Sequence, residues 1–262
     1  MTEPVFVSAR DNPLLVKLRK LARDPAAYRK LATVWLEGEH LCSALRQRGQ
    51  RPEQAVLTES AWADPALRAL AQWAPRCALL PDALFEGLSA LESPARLGFV
   101  LRLPVAPAMD PVAASVVLDR VQDAGNVGAI LRSAAAFGFS QVIALKGTAA
   151  LWSPKVLRAG MGAHFGLSLL DGAEPEVLAA LAVPLVVTSS HAGLALHQLL
   201  RQARLPMPCA WAFGHEGQGV GPELMARAGL QVRIAQPGGE ESLNVASAAA
   251  ICLHASATAA LV

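Results

Sequence analysis

The chain has 262 residues, 53% of them hydrophobic and 17% charged, with a formal net charge of +2. That length suits one large domain or two smaller ones with a sizeable buried core, and an apolar fraction rich in alanine favours helices. The apolar runs are short or broken, as Pro184 breaks the run from Val177 to Val187, so none reaches the roughly 20 residues that cross a bilayer. The N-terminal "MTEPVFVSARDNP" lacks the charged-then-apolar layout of a signal peptide. A soluble, cytoplasmic protein is expected.

The first hundred residues mix helical and strand-like patterns. In "NPLLVKLRKLARDPAAYRKLATVWLEGEHLCSALRQRG" the spacing is helical, with Leu14, Leu18 and Leu21 on one face and Lys17, Lys20 and Arg23 on another. "QAVLTE" and "RCALLP" are short strand-like runs. Between Arg10 and Arg51 ten Lys or Arg stand against four acids, whereas from residue 105 onward nine basic residues face ten acidic ones. The basic stretch fits an anionic partner or an ordinary solvated helix face. "LRLPVAPAMDP" carries Pro104, Pro107 and Pro111 without any period, which predicts a linker over 105–111. A small α/β domain over 1–104 and a second domain over 112–262 are therefore expected.

Beyond the linker, "SVVLD" (115–119), "QVIAL" (141–145), "FGLSLL" (165–170), "PLVVTS" (184–189), "CAWAF" (209–213) and "LQVRI" (230–234) read as buried strands. Helix-like segments separate most of them, which predicts a parallel sheet covered on both faces. Ligands of such sheets gather beyond the carboxyl ends of the strands. Three loops stand in such places: Gln122–Gly128, Gly214–Gly221 and Gln236–Asn244.

The first loop runs into "GNVGAILRSAAAFG" and matches neither G-x-G-x-x-G nor the P-loop pattern. Helical spacing puts Ile130, Ala134 and Phe137 on one stripe and Arg132 opposite, beside Gly128, Ala135 and Ala136. The second, "FGHEGQGVGPEL", has four glycines in eight residues and one carboxylate, Glu216. The third, "GGEESLNVASAAAICLHA", opens a helix with two natural N-cap types, Ser242 and Asn244. Cys42, Cys77, Cys209 and Cys252 show no ligand or disulfide spacing and read as small buried residues. His40, His197 and His254 read as structural or surface residues, and no metal site is expected.

Taken in order, these loops resemble the SpoU (TrmH-type) RNA ribose 2′-O-methyltransferases of the SPOUT superfamily. Asn126 and Arg132 in the first, Gly214 and Glu216 in the second, and Ser242, Leu243, Asn244, Val245 and Ala246 in the third match the family motifs. "SARDNPLLVKLRKLARD" and "WLEGEHLCSAL" resemble the family's N-terminal substrate-binding domain, so the resemblance covers nearly the whole chain. It implies a small L30e-like α/β domain followed by a parallel SPOUT sheet with a deep trefoil knot, in which the last loop threads through an earlier one. Glu240 and Glu241 would complement the dipole of the final helix.

The resemblance further implies S-adenosylmethionine as methyl donor, with Gly214, Ile234 and Leu243 contacting it and Thr188 and Ser189 lining the same pocket. Arg132 would stabilise the developing alkoxide and grip a phosphate, while Asn126, Glu216, Ser242 and Asn244 form the polar shell around it. Whether Arg132 also accepts the proton stays open. Ala235-Gln236 stands where many relatives carry Pro-Met. His164, in "RAGMGAHFG", is either structural or RNA-facing. The basic residues Arg10, Lys17, Lys20, Arg23, Arg29 and Lys30 would contact RNA phosphates. A homodimer through the knot region is implied, with ribosomal RNA, of the large subunit, favoured over tRNA as substrate. The rivals are a SPOUT enzyme that methylates a base nitrogen in tRNA, and a catalytically silent RNA-binding scaffold.

Overall fold

The computed structural model describes residues 3–89, 94–189, 192–239 and 242–259. The chain divides into two compact units: Met1–Val105 with Trp152–Phe165, and Ala106–Leu151 with Gly166–Val262. The sequence reading placed a linker at 105–111, between domains over 1–104 and 112–262, with no excursion between them. The return of Trp152–Phe165 to the first unit was not read from the sequence, because a short internal excursion leaves no mark on composition.

The first unit comprises β1 (Val5–Phe6), α1 (Pro13–Arg23), α2 (Ala27–Leu31), β2 (Thr33–Glu37), α3 (Glu39–Gln47), β3 (Gln54–Thr58), α4 (Glu59–Trp62), α5 (Pro65–Ala71), β4 (Cys77–Leu80), α6 (Asp82–Glu86) and β5 (Leu97–Arg102). Its sheet runs β1-β4-β3-β5-β2, with β5 antiparallel to both of its neighbours. Two of these strands correct the sequence reading. "TVWLE" was read as part of a helical stretch but is β2, buried at all five positions; its Thr, Val and Trp suit a pleated surface, and double-sided burial removes the alternation that marks a strand. β5 takes Leu101 and Arg102 out of the proline-rich stretch. Gly98 is essential to that pairing, since a Cβ there would lie 2.1 Å from the Trp35 ring. In α1 the Asn12 side chain accepts from Leu14 N at 2.9 Å and Pro13 takes the first helical position. The helix buries Leu15, Leu18, Leu21 and Ala22, with Leu14 only half-buried, so the expected stripe is shifted by one residue at its start.

In chain order the remaining elements are β6 (Ser115–Asp119), α7 (Ala124–Ala136), β7 (Gln141–Leu145), α8 (Pro154–Gly160), β8 (Ser168–Ala173), β9 (Leu185–Thr188), β10 (Leu194–Ala195), α9 (Leu196–Arg201), β11 (Ala210–Gly214), α10 (Pro222–Arg227), β12 (Leu230–Arg233) and α11 (Val245–Ala259). All but α8 belong to the second unit. Its sheet is parallel throughout, in the order β10-β12-β9-β11-β6-β7-β8. Five of the expected strands fall within a residue or so. "FGLSLL" is corrected: Ala163–Gly166 is a 3-10 turn and the strand starts at Ser168. A second 3-10 turn, Pro175–Ala180, replaces a helix before β9.

The end of the proline-rich stretch is fastened to this unit. Asp110 N donates to Gln141 Oε1 at 2.8 Å, Gln141 Nε2 donates to Asp110 O at 3.1 Å, and Ala182 N donates to Pro111 O at 2.9 Å. Gln141 is fully buried, so these bonds satisfy an amide that would otherwise be costly there. α11 packs along α7 and against β11. The indole of Trp211, fully buried, donates to Ser256 Oγ at 2.8 Å, and Phe137 meets His254 edge-on at 5.4 Å. Cys209 and Cys252 are buried here and Cys42 in the first unit, each unpaired, while Cys77 is half-buried. Burial pushes the Cys209 and Cys252 thiols up to about 12, which leaves them protonated and apolar in character. Among the described residues, no helix is long and apolar enough to cross a membrane.

Candidate functional site

The carboxyl ends of β9, β11 and β12 and the start of α11 surround a cleft of about 820 Å³. Its wall includes Thr188, Ser189, Gly214, Glu216, Ile234, Ser242, Leu243 and Asn244. Eight of the ten residues expected at the catalytic or donor site are therefore together. Asn126 is tied to this group by hydrogen bonds. Arg132 lies six residues further along α7, about 9 Å along the helix axis, on its exposed face, and is not part of the cleft wall.

The loop 215–221 is a miniature hairpin. His215 and Gly219 exchange backbone hydrogen bonds of 3.0 and 2.8 Å, and His215 Nδ1 accepts from Gly217 N and Gln218 N. Nδ1 is therefore the acceptor nitrogen of the ring. Within this loop only Gly219 has a positive φ, +67°. Gly214 matters for a different reason: a Cβ there would lie 2.1 Å from Gly219 C and Val220 N. The glycines thus close a tight turn on the protein itself.

Asp119 and Arg120, at the end of β6, hold that loop in place. Asp119 is 5% exposed and accepts from Gly221 N at 2.6 Å. Arg120, at φ +59°, donates to both carboxylate oxygens of Asp119 and to Gln218 Oε1 at 3.2 Å. A left-handed arginine costs roughly 1 kcal/mol of backbone strain, offset here by these bonds and by Arg120 N donating to Thr148 Oγ1. Sequence reasoning missed this pair; the "DR" at the strand end was its only signal.

Polarity is relayed across the site through three side chains. Glu216 accepts from Gln122 N (3.1 Å), Asp123 N (3.0 Å) and Asn126 Nδ2 (3.1 Å). Asn126 Oδ1 accepts from Asn244 Nδ2 at 2.9 Å. Asn244 Oδ1 accepts from Ala246 N (2.9 Å) and Ser247 N (3.2 Å), so it caps α11. A carboxylate that only accepts stands at one end and helix N–H groups that only donate stand at the other, which fixes both amide orientations. Burial pushes the Glu216 carboxyl up, but the bonds from Asp123 N, Asn126 and Gln122 N outweigh it and hold it below its ordinary value. Asn244 is the cap that the final helix required. Ser242 is exposed and faces the cleft instead.

The turn before α11 is closed by Gly239 N donating to Gln236 O at 3.3 Å, with Pro237 between them and Gly239 at φ +79°. Glu240 and Glu241, expected to complement the helix dipole, lie outside the described residues. Gln236 also lines the cleft, and its side-chain Oε1 is shut off from solvent with no hydrogen-bond partner among the described residues.

The other expectations resolve as follows. Arg10, Lys20, Arg23, Arg29 and Lys30 are exposed, and Lys17 is half-buried along its stem. On α7, Gly128 is buried together with Val127 and Leu131, so only Ala135 and Ala136 of the expected small neighbours share the exposed face of Arg132. His164 is 2% exposed within the first unit, 5.3 Å from the Trp152 ring, which settles it as structural.

Residues 113–254 match the SpoU rRNA Methylase family. The chain is 29% identical to the 23S rRNA (guanosine(2553)-2′-O)-methyltransferase RlmP of Bacillus subtilis, over 86% of this chain and 88% of that protein. A crystal structure of an RNA 2′-O ribose methyltransferase superposes with a TM-score of 0.79 at 28% identity, over 98% of this chain and 100% of that one. An S-adenosylmethionine-bound rRNA methyltransferase from Sinorhizobium meliloti shares the fold, with a TM-score of 0.83 at 24% identity over 98% of each chain. With a family match across more than half its length, and with the second and third motif loops lining one cleft and the first hydrogen-bonded to them through Asn126, this chain belongs to the SpoU rRNA methylase family.

Proposed function

We propose that the chain transfers a methyl group from S-adenosylmethionine to a ribose 2′-hydroxyl of ribosomal RNA, of the large subunit. The observation that carries this is the Glu216–Asn126–Asn244 relay, fixed at the edge of a cleft wide enough for a nucleoside-sized donor. The residues fit that donor: Val220, Val232, Ile234 and Leu243 offer an apolar wall for a planar base, and polar backbone at Gly214 and Ser189 lies beside it. When bound, S-adenosylmethionine supplies an electrophilic methyl group on a sulfonium.

A ribose hydroxyl is a poor nucleophile until its oxyanion is stabilised. An arginine guanidinium presents a fixed fork of N–H donors, and Arg132 is exposed; among the described residues no protein acceptor holds it. It is assigned to the RNA phosphate and the developing alkoxide. The amino end of α11 adds a favourable dipole, and the Ser242 hydroxyl can orient the ribose. Glu216 is a holder of neighbouring groups, since three donors engage it and its carboxyl sits below the ordinary range.

The second unit is proposed to carry the trefoil knot, which is consistent with α11 lying against α7, the first helix of that unit. The first unit is proposed as the L30e-like RNA-binding domain, with Arg10, Lys17, Lys20, Arg23, Arg29 and Lys30 on phosphates. A homodimer is proposed through the α7–α11 face, where Ala135, Ala136 and Ile251, 41% exposed, present small apolar surface.

The test is incubation with tritiated S-adenosylmethionine and unmodified rRNA or tRNA, with Arg132→Ala as control. Label in rRNA, mapped by resistance of one phosphodiester to alkaline cleavage, is the expected result. Label confined to tRNA would replace the substrate. No label in either would sink the reading.

A further inference from the structure

Trp62 and Trp73 are the two of the chain's five tryptophans that are not buried, and both sit beneath arginines. Arg68 lies 5.9 Å from the Trp62 ring centroid, while Arg46 and Arg51 lie 5.9 and 5.0 Å from that of Trp73. The second cluster comes from "LRQRGQRPE", where Arg46, Arg48 and Arg51 stand with no acid between Glu39 and Glu53. All three are exposed, and among the described residues no carboxylate pairs with any of them. The end of α3 folds tightly to bring them there. Gly49, at φ +69°, donates to Arg46 O at 2.9 Å, and Gln50 N donates to Leu45 O at 3.3 Å. The Trp73 indole then donates to Gln50 O at 2.8 Å, and Gln50 Nε2 donates to Phe165 O at 3.1 Å. The loop is thereby pinned to the ring, so its cations are held in place with little ordering left for a ligand to bring about.

We propose that Trp73 with Arg46 and Arg51 is a binding site for an unpaired nucleotide of the RNA substrate, in addition to the cations of α1 and α2. The proposal rests on the RNA reading given above. A guanidinium is flat and keeps its N–H donors in its own plane, so beside an aromatic ring it can stack on a base and still grip a phosphate through paired bonds. Paired RNA presents phosphates but hides its base faces inside the helix, so planar groups gathered at one point serve only a base that is free to stack. Arg48, on the same loop, and Arg76, three residues past Trp73, are exposed and add charge for flanking phosphates. Arg46 also borders a groove of about 420 Å³ lined by α3 and α5, with Leu67 and Leu70 in its wall, where the strand can continue. Glu39, the acid of that wall, stands about two turns of α3 from Arg46.

The test follows binding of two short labelled probes to the full chain by fluorescence anisotropy across a salt series: oligoadenylate, and an abasic ribose-phosphate oligomer of equal charge. The wild type is expected to bind oligoadenylate at least about fivefold more tightly than the abasic probe, the stacking of one base. Trp73→Leu keeps every cation, so it should keep the salt slope and bind the two probes within about twofold of each other. Arg46→Gln with Arg51→Gln keeps the ring and its hydrogen bond to Gln50, and should lower the slope of log K against log salt by about 1.4. Equal wild-type affinities would overturn the proposal without any variant. So would a full base preference in Trp73→Leu, or an unchanged salt slope in the double variant. Binding of neither probe, with methyl transfer to rRNA intact, would overturn it as well and leave these arginines to an acidic protein surface. Base-selective binding without methyl transfer to any RNA would keep the nucleotide site and sink the catalytic reading instead.

Discussion

Glu216 and Arg132 illustrate how differently two charged residues can serve one site. Glu216 receives three hydrogen bonds, and replacing it by glutamine turns one acceptor oxygen into an NH₂ that must face N–H donors. Because the side chain is exposed, the stability cost should be modest, on the order of 1 kcal/mol. The larger effect should be on turnover, a fall of about tenfold or more, because Asn126 and Asn244 lose their fixed orientation and misplacement at the chemistry is costly; single-turnover kinetics check this. The carboxyl is held below its ordinary value in the folded state. Its stabilising contribution is therefore complete above the ordinary carboxylate range near 4.5 and is lost as pH falls through the lower folded value. Denaturant midpoints measured down that acidic range should drop less steeply in Glu216→Gln than in the wild type. For Arg132, the expectation is that alanine abolishes methyl transfer while S-adenosylhomocysteine binding stays unchanged; near wild-type turnover would remove it from the chemistry. Both residues were legible in the sequence through the family motifs. Asp119 and Arg120 were not, because their roles depend on which loop folds over which strand end.

At the scale of elements, α11 depends on Asn244 for its first two paired N–H groups. Asn244→Ala should lose about 1 kcal/mol of stability, seen in denaturant melts, together with activity. Asn244→Asp separates the two roles. Aspartate caps as well as asparagine, so stability should return. It cannot donate to Asn126 Oδ1, and two acceptor oxygens would then face each other, so activity should stay low. Recovery of both would mean that the relay is irrelevant to catalysis. The strands of the second unit were readable because a parallel sheet buried on both faces leaves continuous apolar runs, and β6, β7 and β11 are buried at every position. In the first unit the same double-sided burial hid β2 inside a helical stretch. β5 was hidden by its neighbourhood, since its last residues run straight into prolines that suggest a linker. Gln141 shows the remaining limit: nothing in "QVIAL" announces that its first residue fastens a segment some thirty positions earlier.

Across the whole molecule, the basic surface and the cleft belong to different units, so affinity for RNA and methyl transfer should be separable. Lys20, Arg23, Arg29 and Lys30 are exposed within a short span of α1 and α2. If they neutralise phosphates, each lost contact reduces the slope of log K against log salt by about 0.7–0.9. Replacing all four by glutamine should therefore flatten the salt dependence of rRNA binding by roughly 3–4, raise the RNA concentration needed for half-maximal rate, and leave the rate at saturating RNA close to wild type. The α7–α11 face should behave in the opposite way. Ile251→Glu places a charge on that small apolar surface, and light scattering on a sizing column should show a dimeric wild type and a monomeric variant. If the variant still has its native circular dichroism and its RNA salt slope but has lost turnover, a second copy is needed to complete the site. If wild type and variant are both monomers with equal activity, one chain carries the whole reaction, and Arg132 must reach the substrate from its own α7. Unchanged salt slopes in the fourfold variant would instead move the phosphate contacts away from α1 and α2, leaving those cations as an ordinary solvated helix face.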